Sequence, residues 1–194
     1  SEWTNENSLS IGFGGSGTLN VNDSGLVTVS GTTKLGNGGT INLAGGNLTT
    51  GSFNNSDAGT LNFDNGTLTV NGASGSFNPG TAGFTIDGST ATDLPELVIA
   101  NEASYSLPGH LTVGLNQRAA LTVEAGSDLL AGENYSGAKI GKWTGSMGVV
   151  TVTGTGSRWS NTWSLDVGYR GNGILNIEAG GVVSSNAPVR IGQH

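Results

Sequence analysis

The sequence predicts an all-β fold of the solenoid class, and three observations carry this prediction. Short runs such as Leu165-Asp166-Val167 and Leu175-Asn176-Ile177 alternate apolar and polar residues, which is typical of strands of about three to five residues. Glycine ends these runs and supplies the positive φ that tight turns need. The same unit recurs, and the glycine that closes its first strand falls at Gly12, Gly36, Gly114, Gly141, Gly168 and Gly192.

The spacing of these marker glycines predicts the architecture. Their intervals are 24, 78, 27, 27 and 24 residues, and the longest is close to three periods of 26. Fixed periods of about 20 to 50 residues indicate solenoids, propellers or arrays. A strand-only repeat of about 25 residues is too short for a four-stranded propeller blade and fits one solenoid coil with three short strands. We therefore expect a single domain, residues 1–194, of about eight coils of 24–27 residues.

Residues 1–50 are predicted to form regular coils, because the runs Leu9-Ser10-Ile11 and Thr33-Lys34-Leu35 each precede a marker glycine. Residues 51–109 are less regular. Pro95 cannot donate a ladder hydrogen bond, so it predicts a strand start or a loop near residues 89–96. Four phenylalanines in this section predict a wider, aromatic core: Phe53, Phe63, Phe77 and Phe84.

Residues 110–194 are the most regular section. In the run from Val149 to Thr153, we expect the valines at 150 and 152 to point inward and Thr151 and Thr153 to form an outward ladder. The two ends of the chain also match, since Trp3 precedes Leu9 by the same six residues that separate Trp159 from Leu165. We therefore expect both ends to cut through a coil, and we expect end-to-end assembly through Trp3, Leu9, Ile11, Val189 and Ile191.

Composition excludes several classes of protein. The chain has 35 glycines but no strict Gly-X-Y period, which excludes collagen, and it has no cysteine for disulfides or Cys-ligated metal. A net charge of −7 without a dense basic patch predicts no nucleic-acid partner. No run of about 18 apolar residues occurs, so no membrane span is expected. Few charged residues and many small polar ones are common in secreted or surface bacterial repeats.

Residues 149–192 resemble the autotransporter-associated β-strand repeats found in passengers of bacterial surface proteins. The resemblance rests on the T-x-T element Thr151-x-Thr153, on Gly156-Ser157-x-Trp159, on Leu165-x-Val167-Gly168 and on Gly171-x-Gly173-x-Leu175-x-Ile177 with its following Gly180-Gly181-x-Val183. It is looser over residues 8–50 and 110–130 and weak between 51 and 109. It implies a right-handed parallel β-helix at the cell surface or outside the cell. Such passengers include adhesins, fibres and a few enzymes, so the resemblance selects no single activity.

The sequence contains no convergent set of catalytic groups. His110 is predicted to be a solvated turn residue, His194 is the last residue, and no G-x-S-x-G nucleophile motif occurs. The glycine-rich Gly14–Gly17 stretch has Thr18 where the calcium-binding repeat requires aspartate. The sequence therefore predicts no enzyme, no cofactor and no metal site.

Three tryptophans leave two alternatives open. In a thin solenoid, Trp143, Trp159 and Trp163 either cover a corner or an interface, or they stack on sugars. Together with Arg158, Arg170 and Lys142 they form the predicted partner surface. The favoured function is a non-catalytic extracellular stalk, fibre or filament whose partner is another copy or neighbouring repeats of a longer chain. The alternatives are an adhesin segment that binds glycans or host or matrix proteins and, less favoured, a polysaccharide-degrading enzyme.

Overall fold

A computed structural model describes residues 1–80, 83–107, 109–132 and 137–192. These residues contain twenty strands and no helix. The strands are β1 (Glu2–Asn5), β2 (Leu9–Ile11), β3 (Gly17–Asn22), β4 (Leu26–Leu35), β5 (Gly39–Asn54), β6 (Thr60–Val70), β7 (Phe77–Asn78), β8 (Phe84–Ile86), β9 (Pro95–Ile99), β10 (Ser104–Ser106), β11 (Leu111–Val113), β12 (Arg118–Val123), β13 (Asp128–Ala131), β14 (Ala138–Ile140), β15 (Met147–Thr153), β16 (Arg158–Asn161), β17 (Leu165–Val167), β18 (Asn172–Glu178), β19 (Val182–Ser185) and β20 (Val189–Ile191).

The chain winds as a parallel β-solenoid of eight coils, each of which crosses three faces in turn. Face 1 contains β1, β9, β12, β15 and β18, face 2 contains β2, β7, β10, β13, β16 and β19, and face 3 contains β3, β8, β11, β14, β17 and β20. The long strands β4, β5 and β6 bend around corners and serve two or three faces each. The predicted all-β parallel solenoid of about eight coils is confirmed, while its right-handedness stays a prediction.

Coil length varies more than the sequence predicted. One inward position of face 1 is stacked through the whole molecule by Trp3, Val27, Leu48, Leu68, Leu97, Leu121, Val150 and Leu175. These residues are 24, 21, 20, 29, 24, 29 and 25 positions apart, so the expected range of 24–27 is wrong. The short coils turn some of their corners within the long strands β4, β5 and β6, whereas the long coils turn between separate strands.

The core lies in the narrow space between the three faces. Its inward residues are the buried members of the ladders, such as Leu48, Leu97 and Val150 on face 1. The predicted aromatic core of residues 51–109 is confirmed. Phe53 and Phe77 are buried with ring centroids 5.4 Å apart, and Phe77 meets Phe84 edge-to-face at 5.3 Å. Phe63 and Phe84 are partly buried against the same core.

Polar residues on the outer surface also stack from coil to coil. The side chain of Asn62 donates to Asn42 at 2.7 Å, and that of Asn42 donates to Asn20 at 2.6 Å. In β15 the residues alternate as predicted, with Val150 buried and Thr151 half-buried on the outside. Such ladders add side-chain hydrogen bonds between coils to the backbone pairing.

The predicted loop is present with a shifted boundary. Residues 87–94 lie outside strands, and Pro95 begins β9 instead of belonging to the loop. The Asp93 carboxylate accepts the Ser89 hydroxyl and the Thr90 amide, both at 2.8 Å, which lowers the pKa of Asp93. The loop therefore closes on itself before the strand begins.

The marker glycines do not all lie at one corner, which corrects the predicted register. Gly12 and Gly36 follow strands of face 2, whereas Gly114, Gly141, Gly168 and Gly192 follow strands of face 3. The predicted match of the two ends is wrong for the same reason, since Trp3 lies on face 1 and Trp159 on face 2. Every face uses the same apolar-polar-apolar pattern, so a match displaced by one face fits the sequence equally well.

Candidate functional site

The fold divides the predicted partner surface into separate places. Trp159 is 0% exposed, because it is an inward residue of β16 stacked between Leu129 and Val183. Its assignment to an exposed surface is therefore wrong, and it fills the core. Trp143 and Trp163 are exposed, as are Arg158 and Arg170.

Arg158 and Trp163 lie away from Trp143. Arg158 begins β16 on the outside of face 2, next to Asp128 of the coil below. It borders a shallow depression of about 430 Å³ that Asp128 and several serines also line. Trp163 lies at the corner between faces 2 and 3, where its carbonyl accepts from Asn161 and Ser185.

Trp143 and Arg170 come together at the corner between faces 3 and 1. We call the five residues gathered there the corner cluster: Lys139, Lys142, Trp143, Tyr169 and Arg170. The rings of Trp143 and Tyr169 meet edge-to-face with centroids 6.3 Å apart. The Arg170 guanidinium carbon lies 5.4 Å from the Trp143 centroid and 5.8 Å from that of Tyr169. The Nζ atoms of Lys142 and Lys139 lie 5.2 and 5.6 Å from the centroids of Trp143 and Tyr169, respectively.

Two stacked turns build this cluster. β14 and β17 pair in register, and each is followed by a glycine of positive φ, Gly141 and Gly168. The amide of Lys142 donates to Gly114 at 2.8 Å, and that of Tyr169 donates to Gly141 at 3.1 Å, so one turn lies on the next. Equivalent positions after each glycine therefore reach the same patch of surface.

The charges around the corner are unevenly matched. The buried Asp166 carboxylate lies 3.1 Å from Arg190 Nη1 and 3.9 Å from Lys139 Nζ. Within the described ranges, no carboxylate lies within ion-pair distance of Lys142 or Arg170. The ring of His110 lies against Gly83. Partial burial of this ring lowers the pKa of His110, and the positive charges of Lys142 and Lys139 lower it further.

The residues predicted for end-to-end assembly are placed as follows. Trp3 and Leu9 lie in the first coil, and Val189 and Ile191 lie in the last coil on face 3. Of these, Trp3, Val189 and Ile191 are exposed and Leu9 is half-buried. Ile11 is buried in its stack on Leu35 and belongs to the core instead of an end surface.

Sequence reasoning missed Lys139 and Tyr169, although the signal was present. When Gly141 is aligned with Gly168, Lys142 coincides with Tyr169 and Trp143 with Arg170. Stacking of adjacent coils turns these aligned positions into neighbours. Alignment of the marker glycines therefore predicts which residues meet in the corner cluster.

The residues considered for catalysis or metal binding lie in separate places. In ranges 1–80, 83–107, 109–132 and 137–192, no group of three or more His, Cys, Asp or Glu could hold a metal ion. The Asp87 carboxylate accepts the backbone amides of Leu115, Asn116 and Gln117, so it closes a turn. His194 lies outside the described residues, and His110 is exposed next to its turn. No helix in the part of the chain that the structure describes is long and apolar enough to cross a membrane.

No family model, no curated protein and no solved structure matches the chain. The resemblance to autotransporter-associated repeats therefore stays a prediction.

Proposed function

We propose that the chain is a structural β-solenoid segment of a stalk, fibre or filament, and that further solenoid coils cover its end coils. The observation that carries this proposal is the surface of the last coil. Ile177 is 53% exposed and Ile191 is 81% exposed, although both continue inward ladders. The residues stacked beneath them, Val152 and Val167, are buried. Each coil thus buries the one below, and the last coil offers the same apolar surface again.

Backbone groups support the same proposal. In a parallel stack, each strand pairs on both edges at a spacing of about 4.8 Å. Strands β18, β19 and β20 pair on one edge with β15, β16 and β17. Their other edges form a template for three further strands, and exposed strand edges favour such pairing.

A second copy of the chain fits this template because its first coil and its last coil expose different strand edges. The edge of the last coil and the edge of the first coil are opposite edges of the same parallel ladders. Stacking one on the other is a head-to-tail contact, which does not close and so produces a filament. Trp3, which stacks on Val27 and is exposed, would then be covered by the last coil of the next copy. Eight coils at this spacing add about 38 Å per copy.

In this structural role, no residue of the chain is proposed to be catalytic. What supports this is that particular outward polar side chains serve the structure itself: Asn42 belongs to a side-chain ladder and Asp87 closes a turn. We also propose a location outside the cell or on the bacterial surface. The small, sparsely charged side chains and the resemblance to passenger repeats support this location. Protease digestion on intact cells of the producing organism tests it, because a surface segment is cleaved without lysis.

Sedimentation velocity over a concentration series tests the assembly. We expect the mass to rise with concentration for the natural chain and to stay that of a monomer for Ile191→Asp. Ile174→Asp is the matched control, since Ile174 is exposed in the same coil but continues the outward position of Val149. A natural chain that remains monomeric at all concentrations, or equal loss in both variants, would contradict end-to-end stacking.

A further inference from the structure

Two of the three cations of the corner cluster, Lys142 and Arg170, contact aromatic rings and pair with no described carboxylate, whereas Lys139 also pairs with Asp166. Lys142 and Arg170 both lie over Trp143, at 5.2 and 5.4 Å from its centroid. A ring attracts a cation through its quadrupole and leaves the net charge unchanged. Since no described carboxylate pairs with either side chain, both charges remain available to an anion from outside.

A second lysine in the chain shows the contrast. Lys34 also lies 5.2 Å from a ring centroid, that of Phe13, but its Nζ is 3.4 Å from the Asp57 carboxylate. Its charge is matched within the molecule. Lys142 and Arg170 have the same kind of cation–ring contact without a described carboxylate, so the difference between the two places is the unmatched charge of these two residues.

The positive region extends along the stack. Lys139, Asp166 and Arg190 occupy one outward position on three successive coils. One buried carboxylate serves two cations there, so the row carries a net positive charge. This row of net positive charge lies on a chain whose net charge is −7, so it attracts anions against a mainly acidic background.

We propose that the corner cluster is a binding site for an acidic polysaccharide. The Arg170 guanidinium can donate two parallel hydrogen bonds to a carboxylate or sulfate group, and Lys142 adds a second charge beside it. Trp143 is 37% exposed, and its free surface can pack against the C–H groups of a sugar ring. Repetition of the turn from one coil to the next suits a chain that runs along the solenoid.

Charge density favours a polysaccharide over nucleic acid. Tight binding to a phosphate backbone uses about six to ten phosphate contacts. The corner cluster with Arg190 contains four cations, and one of the nearest charges is the Asp166 carboxylate. Acidic sugars present sparser charges together with apolar ring faces, which match a few cations set around Trp143 and Tyr169.

Affinity electrophoresis tests the proposal with defined polymers. Gels contain polygalacturonate, dextran sulfate or neutral dextran, and retardation yields the apparent Kd. We expect retardation by at least one of the two acidic polymers and none by neutral dextran. The carboxylate and sulfate arms distinguish the two kinds of anionic group. Added salt is expected to weaken the retardation.

Matched variants locate the site. Lys142→Gln with Arg170→Gln is expected to weaken binding about tenfold or more, as loss of charge-assisted hydrogen bonds predicts. Lys34→Gln removes one charge from the other cation–ring contact and is expected to leave the Kd unchanged. Trp143→Ala keeps all cations and is expected to weaken binding as well, because the ring positions them and contacts the sugar. Circular dichroism checks that each variant folds, and Lys142→Gln alone replaces the double variant if that one does not.

Four results would overturn the proposal: no retardation by either acidic polymer, equal retardation by neutral dextran, equal weakening by Lys34→Gln, or binding of phosphatidylserine vesicles or single-stranded poly-dT in preference to the polysaccharides. The site is tested separately from the proposed assembly, since Lys142, Trp143 and Arg170 lie at a side corner and none of them belongs to the inward ladders that Ile191 continues. Sedimentation of Ile191→Asp tests the assembly, and electrophoresis of the double variant tests polysaccharide binding. Either hypothesis can therefore be contradicted while the other holds.

Discussion

At the scale of single residues, Tyr105 shows how the core accommodates a polar atom. Its hydroxyl is buried and, among the described residues, has no hydrogen-bond partner, and this burial raises the pKa of Tyr105. Its ring meets Phe77 edge-to-face at 4.7 Å. The ring therefore stabilises the stack, while the hydroxyl has lost its hydration without replacement.

We predict that Tyr105→Phe stabilises the protein. The change keeps the ring and removes the unpaired hydroxyl, so the free energy of unfolding is expected to rise by about 1 kcal/mol. Urea unfolding at neutral pH measures it. Tyr169→Phe, on the surface, serves as the control and is expected to change the free energy by less than about 0.5 kcal/mol. A destabilised Tyr105→Phe would show that the hydroxyl has a partner.

His110 makes a pH-dependent contribution to stability. Its pKa in the folded chain lies below the unfolded value of about 6.5. The unfolded chain therefore binds the proton more tightly, and stability is lost as the pH falls through this range. We expect the urea midpoint to fall more between about pH 7.5 and about pH 5 for the natural chain than for His110→Asn. Equal pH slopes for the two proteins would contradict this assignment.

Asp166 is the buried anion of face 3. Asp166→Asn removes the charge that pairs with Arg190 and Lys139, and we expect a loss of about 1 to 3 kcal/mol. Asp57→Asn breaks the exposed pair with Lys34 and is expected to cost less than about 1 kcal/mol. Thermal unfolding of both variants at low and high salt measures this. Equal losses would show that burial of Asp166 does not strengthen its pairing.

At the scale of elements, the turns between strands depend on glycine for two separable reasons. Gly12 and Gly14 lie in one turn, and both have positive φ, +73° and +80°. A β-carbon at Gly12 would collide with the backbone of Gly39 in the next coil, whereas one at Gly14 would meet nothing within 4 Å. Backbone strain acts at both positions, and close approach between coils acts at Gly12 alone.

Alanine at these two positions separates the reasons. Gly14→Ala is expected to cost about 1 to 2 kcal/mol, the strain of a left-handed residue. Gly12→Ala is expected to cost a further 1 to 3 kcal/mol or so from the collision. Chemical denaturation of both variants gives the difference. If the two losses were equal, the coils would not be in close contact at this corner.

Predictions from the sequence were correct where they depended on neighbouring residues in the chain, such as strand alternation. Alternation placed β2 and β17 at their observed residues, and the phenylalanine-rich section correctly predicted an aromatic core. The partner surface was predicted only in part. Trp143 and Arg170 do lie together, but Trp159 is buried and Trp163 lies at another corner. Whether a tryptophan points inward depends on its position in a ladder, which alternation alone does not distinguish.

At the scale of the whole molecule, stability propagates from coil to coil. Repeat proteins behave as a one-dimensional array in which each unit contacts its neighbours only. Central strands such as β9 and β12 pair on both edges, whereas β18 and β20 pair on one. Local opening is therefore easiest at the ends of the stack.

Hydrogen exchange should reveal this gradient. We expect amide protection to be greatest in the central coils and least in β20 at low protein concentration. If copies stack end to end, protection of β20 and β18 should rise with concentration while that of β9 stays constant. Uniform protection along the chain would contradict the array description, and a concentration-independent β20 would contradict the assembly.

The sequence by itself determined that this protein is a β-solenoid of about eight coils with strands on three faces. The reason is that strand alternation and glycine turns are local signals, and their repetition identifies the architecture. Only the tertiary structure decided which residues become neighbours. All three faces share one apolar-polar-apolar pattern, so the register between coils depends on the length of each corner. Coils of 20 to 29 residues set that register, and they bring Trp143 and Arg170 to one corner while burying Trp159.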